Sequence, residues 1–157
     1  MFKELILLFN IFQTQVETEM GFYRITPIEK PVRNFDKKEI DCLARNIYYE
    51  ARGEPEIEQM ATSQVVLNRV NDKNFPDSIC AVVYQPYQFS WTSKPYRITD
   101  WKSYNLARRI AKEMYYGNIS FEYIGNANHY HRKDISPNWS SKGKDKKYLI
   151  SHVYMEL

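Results

Sequence analysis

Apolar residues recur at helical spacing over the middle of the chain, and toward its end the period changes to two. The best-marked helix start is at Asp36, where Asp36 and Glu39 form a capping-box pattern and Phe35 and Ile40 occupy the positions of a hydrophobic staple. From there Ile40, Leu43, Ala44, Ile47 and Tyr48 make one apolar stripe that faces a core. Gly53 and Pro55 end this helix: glycine suits a left-handed C-terminal turn, and a residue before proline avoids helical geometry. Pro55 then opens a second helix at its first position, running to about Val70 with Ile57, Ala61, Val65 and Val66 inward and Asn71-Asp72 as the exit turn.

A short third helix is predicted after Pro76-Asp77 on Ile79, Val82 and Val83, followed by an extended tyrosine-rich segment from Tyr84 to Tyr96. Another helix, from about Asp100 to Tyr116, buries Ala107, Ile110, Ala111 and Met114 and stops at Gly117. Ile119, Phe121 and Tyr123 then alternate as a strand would. Asn128 to His131 and Leu149 to Tyr154 read as two more strands around a lysine-rich loop. The expected fold class is α+β, mainly helical with a small β-sheet. Residues 1–35 are expected to be a leader or extended segment, and residues 36–157 the catalytic domain.

Composition narrows the class. A chain of 157 residues fits one domain with one core, and 43% hydrophobic against 26% charged residues excludes a disordered or fibrous chain. The net charge of +3 is spread along the sequence without a phosphate-tracking run, so no nucleic-acid partner is expected. The apolar run Leu5-Ile6-Leu7-Leu8-Phe9 is too short for a span of about 20 residues, so no stable membrane anchor is expected. It resembles a signal h-region, but Glu4, Asn10 and the lack of a small-residue cleavage site count against one. Aromatic residues reach 15%, many in polar surroundings, as in grooves that are apolar on one side and wet on the other. Cys42 and Cys80 have no metal spacing, and their pairing is left open.

Tyr49-Glu50-Ala51-Arg52-Gly53-Glu54 places two carboxylates and a guanidinium at a helix-to-helix corner. Glu50 lies along the border of the apolar stripe near the helix end, and such partial burial raises a carboxyl pKa until it can act as an acid near neutral pH. Glu54 sits where the second helix begins, where free backbone N–H groups and the positive dipole end favour its charged form; its expected part is capping, orienting Arg52 or binding substrate.

From Ile40 onward the chain resembles the spore cortex-lytic cell wall hydrolases of the SleB and CwlJ type. The resemblance is carried by Glu50-Ala51-Arg52-Gly53-Glu54 and Val66-Leu67-Asn68-Arg69-Val70, then Phe75-Pro76, Ile79-Cys80, Val82-Val83-Tyr84 and Gln88-Phe89-Ser90-Trp91. It ends with His129-Tyr130-His131, Pro137, Trp139 and His152. Departures are Asn126 and Asn128, where the family tends to show Ala and Thr, and Ser151-His152 in place of a looser Gly-x-His.

The resemblance implies a lysozyme-like fold that cuts the MurNAc to GlcNAc linkage of peptidoglycan, with Glu50 matching the first glutamate of the family motif and no cofactor. The implied substrate-binding residues are Arg52, Glu54, Tyr84, Gln88, Phe89, Ser90, Trp91, His129, Tyr130, His131, Trp139 and His152. No second acid makes a convincing claim, which points to a lytic transglycosylase leaving 1,6-anhydroMurNAc ends. The expected partner is the peptidoglycan glycan strand, met by a monomer at the bacterial wall, on the periplasmic or extracellular side. Family members occur in sporulating bacteria, other bacteria and phages, and a phage-type lysin that needs help to cross the membrane is the expected variant.

Two other readings stay open. His129, His131 and His152 all lie in the C-terminal segment, and His-x-His on a strand puts both rings on one face, as in some zinc sites; this allows a zinc-dependent wall peptidase or amidase. A non-catalytic glycan-binding module would use Tyr87, Trp91 and Trp139 as sugar platforms and leave Glu50 idle.

Overall fold

The computed structural model describes the backbone of residues 15–18 and 21–25, and residues 36–94 and 97–157 in full. The staple residue Phe35 and the apolar run near the N-terminus lie outside the described residues. Four helices, α1 (Lys37–Ala51), α2 (Glu56–Asn71), α3 (Ile79–Val83) and α4 (Trp101–Tyr116), form the bulk of the molecule. The fold is thus α+β with helices predominating, of the lysozyme-like kind.

Asp36 caps α1 by accepting from the N–H groups of Lys38 and Glu39 at 2.9 and 3.2 Å. Glu39, the other half of the expected capping box, turns elsewhere: its carboxylate accepts from the N–H groups of Ile79 and Cys80 at 2.6 and 3.2 Å, at the start of α3. A disulfide between Cys42 and Cys80 joins the same two helices, with Cα atoms 5.3 Å apart. Closing a loop of 38 residues in this way contributes about 3 to 4 kcal/mol by restricting the unfolded chain.

α2 runs through the centre and is buried on most of its circumference, including the polar Glu58, Gln59, Thr62, Ser63 and Arg69. Two details of its entry differ from expectation. Pro55 is the N-cap and not the first helical residue, with φ −55° and ψ 154°. Gly53 does not take the left-handed conformation, because α1 ends on Arg52 in an ordinary right-handed turn. Gly117 does, at φ 72°, where it closes α4.

Of the alternating stretch after α4, only Ile119–Ser120 is a strand (β3), because residues Glu122–Ile124 coil into a 3₁₀ turn that drives Phe121 and Ile124 into the core. N-terminal strands β1 (Gln15–Thr18) and β2 (Gly21–Ile25) pair antiparallel, and β2 pairs with β3. The second sheet contains β4 (His129–Arg132), β5 (Lys144–Tyr148) and β6 (His152–Glu156) in the order β4-β6-β5. The lysine-rich stretch therefore includes a strand where a loop was expected. Among the described residues β5 pairs only with β6, and its exposed lysines are typical of an edge, since charge discourages further pairing. The last strand also starts later than expected, at His152 instead of Leu149.

Candidate active site

The α1 stripe carries its C-terminal turn against β4, and there a cavity of about 490 Å³ opens between α1, α2, the segment after α3 and the second sheet. Glu50 and Arg69 line it from the two long helices. Tyr87, Gln88 and Phe89 form one side, and His129, Tyr130, Trp139 and Leu157 the other.

Glu50 is half-buried, and burial pushes its carboxyl pKa above the ordinary carboxylate range. A hydrogen bond from the Tyr130 hydroxyl at 3.1 Å and the nearby positive charge of Arg69 oppose that rise without cancelling it. Tyr130 is itself held by stacking on Tyr154 and an edge contact with His152. Glu50 is the one acidic side chain lining the cavity among the described residues.

The other two carboxylates of this region are engaged elsewhere. Glu54 accepts a hydrogen bond from the Ser151 hydroxyl at 2.6 Å, so the expected capping of α2 by its side chain is replaced by a tie to the loop before β6. Glu58 is fully buried and accepts from the Ser151 N–H at 2.7 Å, from the Tyr154 hydroxyl at 2.5 Å, and pairs with His152 Nδ1 at 3.1 Å. Burial alone would raise its pKa, but these bonds outweigh burial and hold it at about 2. His152 thus sits in a buried network beneath Tyr130 and does not line the cavity.

Several expected groove residues lie apart from the cavity lining. Trp91 is buried, donates to Asn46 Oδ1 at 3.2 Å and stacks on Tyr49, which makes it a core residue and not a sugar platform. Tyr84 packs its edge on Trp91. Ser90 is exposed on the 3₁₀ turn Ser90–Ser93, its carbonyl taken by the Ser93 hydroxyl. Arg52 lies over the ring of Tyr48 at 4.9 Å, outside the cavity. His131 bonds Ser140 Oγ through Nε2 and the Arg132 carbonyl through Nδ1.

His129 and His131 do share one face, and Trp139 packs against both rings at 5.6 Å. Their nitrogens diverge to different partners, and among the described residues no three His, Cys, Asp or Glu side chains come together to hold a metal ion.

Arg69 and Leu157 were not among the expected site residues, and Tyr87 was expected only in the glycan-binding reading. Arg69 is 4% exposed; its Nε donates to the Asn128 carbonyl at 2.7 Å, and the rings of Phe75 and Phe89 lie 5.2 and 5.5 Å from the guanidinium carbon. Tyr87 is fully exposed and holds a left-handed backbone at φ 66°, a conformation costly for a bulky residue and concentrated at functional sites. The signal for Arg69 was present in the Val66-Leu67-Asn68-Arg69-Val70 motif, where a cation falls among core positions of a helix.

Helices around a cavity lined by one half-buried glutamate, its pKa raised by burial, define a lysozyme-like class of site. Residues 53–155 match the family described as Cell Wall Hydrolase, and the chain belongs to that family. It is similar to the spore cortex-lytic enzyme of Bacillus cereus, at 27% identity over 122 residues, 76% of this chain and 45% of that protein. A shorter stretch of 56 residues is 43% identical to the spore cortex-lytic enzyme of Bacillus subtilis, 36% of this chain and 18% of that one. The chain therefore spans less than half the length of these relatives. Among solved structures, it is similar to the catalytic domain of the germination-specific lytic transglycosylase SleB from Bacillus anthracis. The TM-score is 0.64 at 25% identity, covering 79% of this chain and 98% of that domain.

Proposed function

We propose that this protein cleaves peptidoglycan glycan strands between MurNAc and GlcNAc, with Glu50 as the single catalytic acid. The observation that carries the reading is Glu50 itself: the one acidic side chain lining the cavity among the described residues, its pKa raised by burial and its carboxylate bonded by the Tyr130 hydroxyl. In the first step Glu50 gives its proton to the glycosidic oxygen, and the bond from that oxygen to the anomeric carbon breaks. The resulting carboxylate then takes the proton of the C6 hydroxyl of the same sugar, whose oxygen closes onto the anomeric carbon. Glu50 ends as it began, and no water is consumed.

A hydrolytic route needs a second carboxyl across the scissile bond. Glu54 and Glu58 are poor candidates, because Ser151, His152 and Tyr154 already occupy them. The anhydro product named for transglycosylases is therefore the reading we favour. The enzyme works as a monomer on the wall, on its periplasmic or outer side.

Mass spectrometry of fragments released from purified sacculi tests this directly. We expect 1,6-anhydroMurNAc ends, about 18 Da lighter than hydrolytic ends because water is not added. Reducing MurNAc as the sole end would overturn the single-acid mechanism, and binding without release would leave a glycan-binding module.

A further inference from the structure

Arg69 is a buried cation to which no carboxylate is hydrogen-bonded among the described residues, although the charge of Glu50, when ionised, is felt there. Its Nε is satisfied by the Asn128 carbonyl, its faces are covered by Phe75 and Phe89, and its Nη1 has no hydrogen-bond partner. A buried guanidinium donor left unmade costs free energy, so its place in the lining of a cavity calls for a functional account.

The surroundings sharpen what that ligand is. Glu50, which shares the cavity, is neutral while it retains its proton. His129 is neutral as well: burial and the charge of Arg69 push its pKa down to about 4. Its tautomer follows from Asn128. The Asn128 Nδ2 donates to Asp72 and the Leu157 carbonyl, so its Oδ1 faces the Leu157 N–H and His129 Nδ1 as an acceptor, and Nδ1 carries the ring proton. In the state ready to donate a proton, the cavity thus holds one uncompensated positive charge. A planar guanidinium selects carboxylate and carboxyl-derived oxygens over hydroxyls. On a peptidoglycan strand the sugar hydroxyls and acetamido groups carry no charge, and the lactyl substituent of MurNAc supplies the carboxyl oxygens.

We propose that Arg69 is a specificity residue whose guanidinium, which lines the cavity, binds the lactyl carboxylate of MurNAc, so that the cavity distinguishes a muramyl strand from a chitin strand. This rests on the glycan-cleaving reading of the same cavity. It extends that reading by naming the chemical group recognised.

The test is calorimetric binding in a Glu50→Gln protein, which cannot turn substrate over. The probes are a GlcNAc-MurNAc tetrasaccharide and chitotetraose, which has the acetamido groups but no lactyl group. We expect the muramyl probe to bind at least about tenfold more tightly, and the two to bind within about twofold once Arg69→Gln is added. Because Arg69 also packs between two rings, its variant is checked by circular dichroism. If it does not fold, a muramyl probe with its lactyl carboxyl reduced to the alcohol, bound to the protein with Arg69 intact, must lose the preference instead. Equal binding of muramyl and chitin probes, or a preference that survives both changes, overturns the proposal. Release of fragments from sacculi by the unsubstituted protein reports separately on the cleavage reading, so a cleaving enzyme without lactyl preference sinks only the role of Arg69.

Discussion

Glu50 lies in the last turn of α1 and Glu58 in the first turn of α2, both at least partly buried, and their pKa values are pushed in opposite directions. Glu50 receives one hydrogen bond from Tyr130, and burial wins. Glu58 receives bonds from a tyrosine hydroxyl, a histidine ring and a backbone N–H, and the bonds win. Burial alone therefore does not make an acid. The number of donors aimed at the carboxylate decides which glutamate can lend a proton and which serves as a fixed anion tying α2 to β6.

The largest test of that contrast is Glu50→Gln, which keeps the shape and removes the transferable proton. Release of fragments from sacculi should fall at least about a hundredfold with the circular dichroism spectrum unchanged. Glu54→Gln should cost far less; a reversal of the two losses would hand the acid's part to Glu54.

Glu58→Gln should leave the chemistry intact and weaken the fold, by about 3 kcal/mol in urea unfolding, since it breaks a buried charged network. Its pH signature has a definite sign. A folded-state pKa near 2 against an ordinary 4.5 gives stability that is complete above about pH 4.5 and drains away as pH falls toward 2. The variant should lack that acid-side slope. A Glu58→Gln protein with unchanged stability would show that the network is ornamental.

Tyr130→Phe probes the other side of the comparison. Removing the hydrogen bond that favours the Glu50 carboxylate should raise the pKa of Glu50 further, so the alkaline limb of the pH–rate profile, where Glu50 loses its proton, moves to higher pH. A shift to lower pH would mean that Tyr130 stabilises the protonated form instead. Smallest of all, Trp91→Phe should lower stability without changing affinity for glycan, whereas Trp139→Ala should raise KM, because only Trp139 lines the cavity.

The helices were legible because their apolar positions repeat locally and their ends carry local signals, as Asp36, Asp100 and Gly117 do. Glu50 was legible as the edge of such a stripe. What stayed hidden depends on distant partners. Glu58 drew no attention and Arg69 stood out only within its motif, since nothing near them in sequence announces Tyr154 or Asn128. Ser151, which takes Glu54 out of the α2 cap, lies 97 residues away. Trp91 misled for the converse reason: its polar neighbours suggested a wet groove, and its actual surroundings are Tyr49 and Asn46 from α1. Strand β5 was masked by its lysines, which mark an edge as readily as they mark a loop.

The double tie between α1 and α3, by Glu39 and by the Cys42–Cys80 bridge, has a mechanical side. Glu50 rides on one end of α1, and the rim residues Tyr87 to Phe89 follow α3 within a few residues, so the two ties help set the spacing of acid and rim. Reduction of the bridge would remove one of them and leave the carboxylate of Glu39 holding the start of α3.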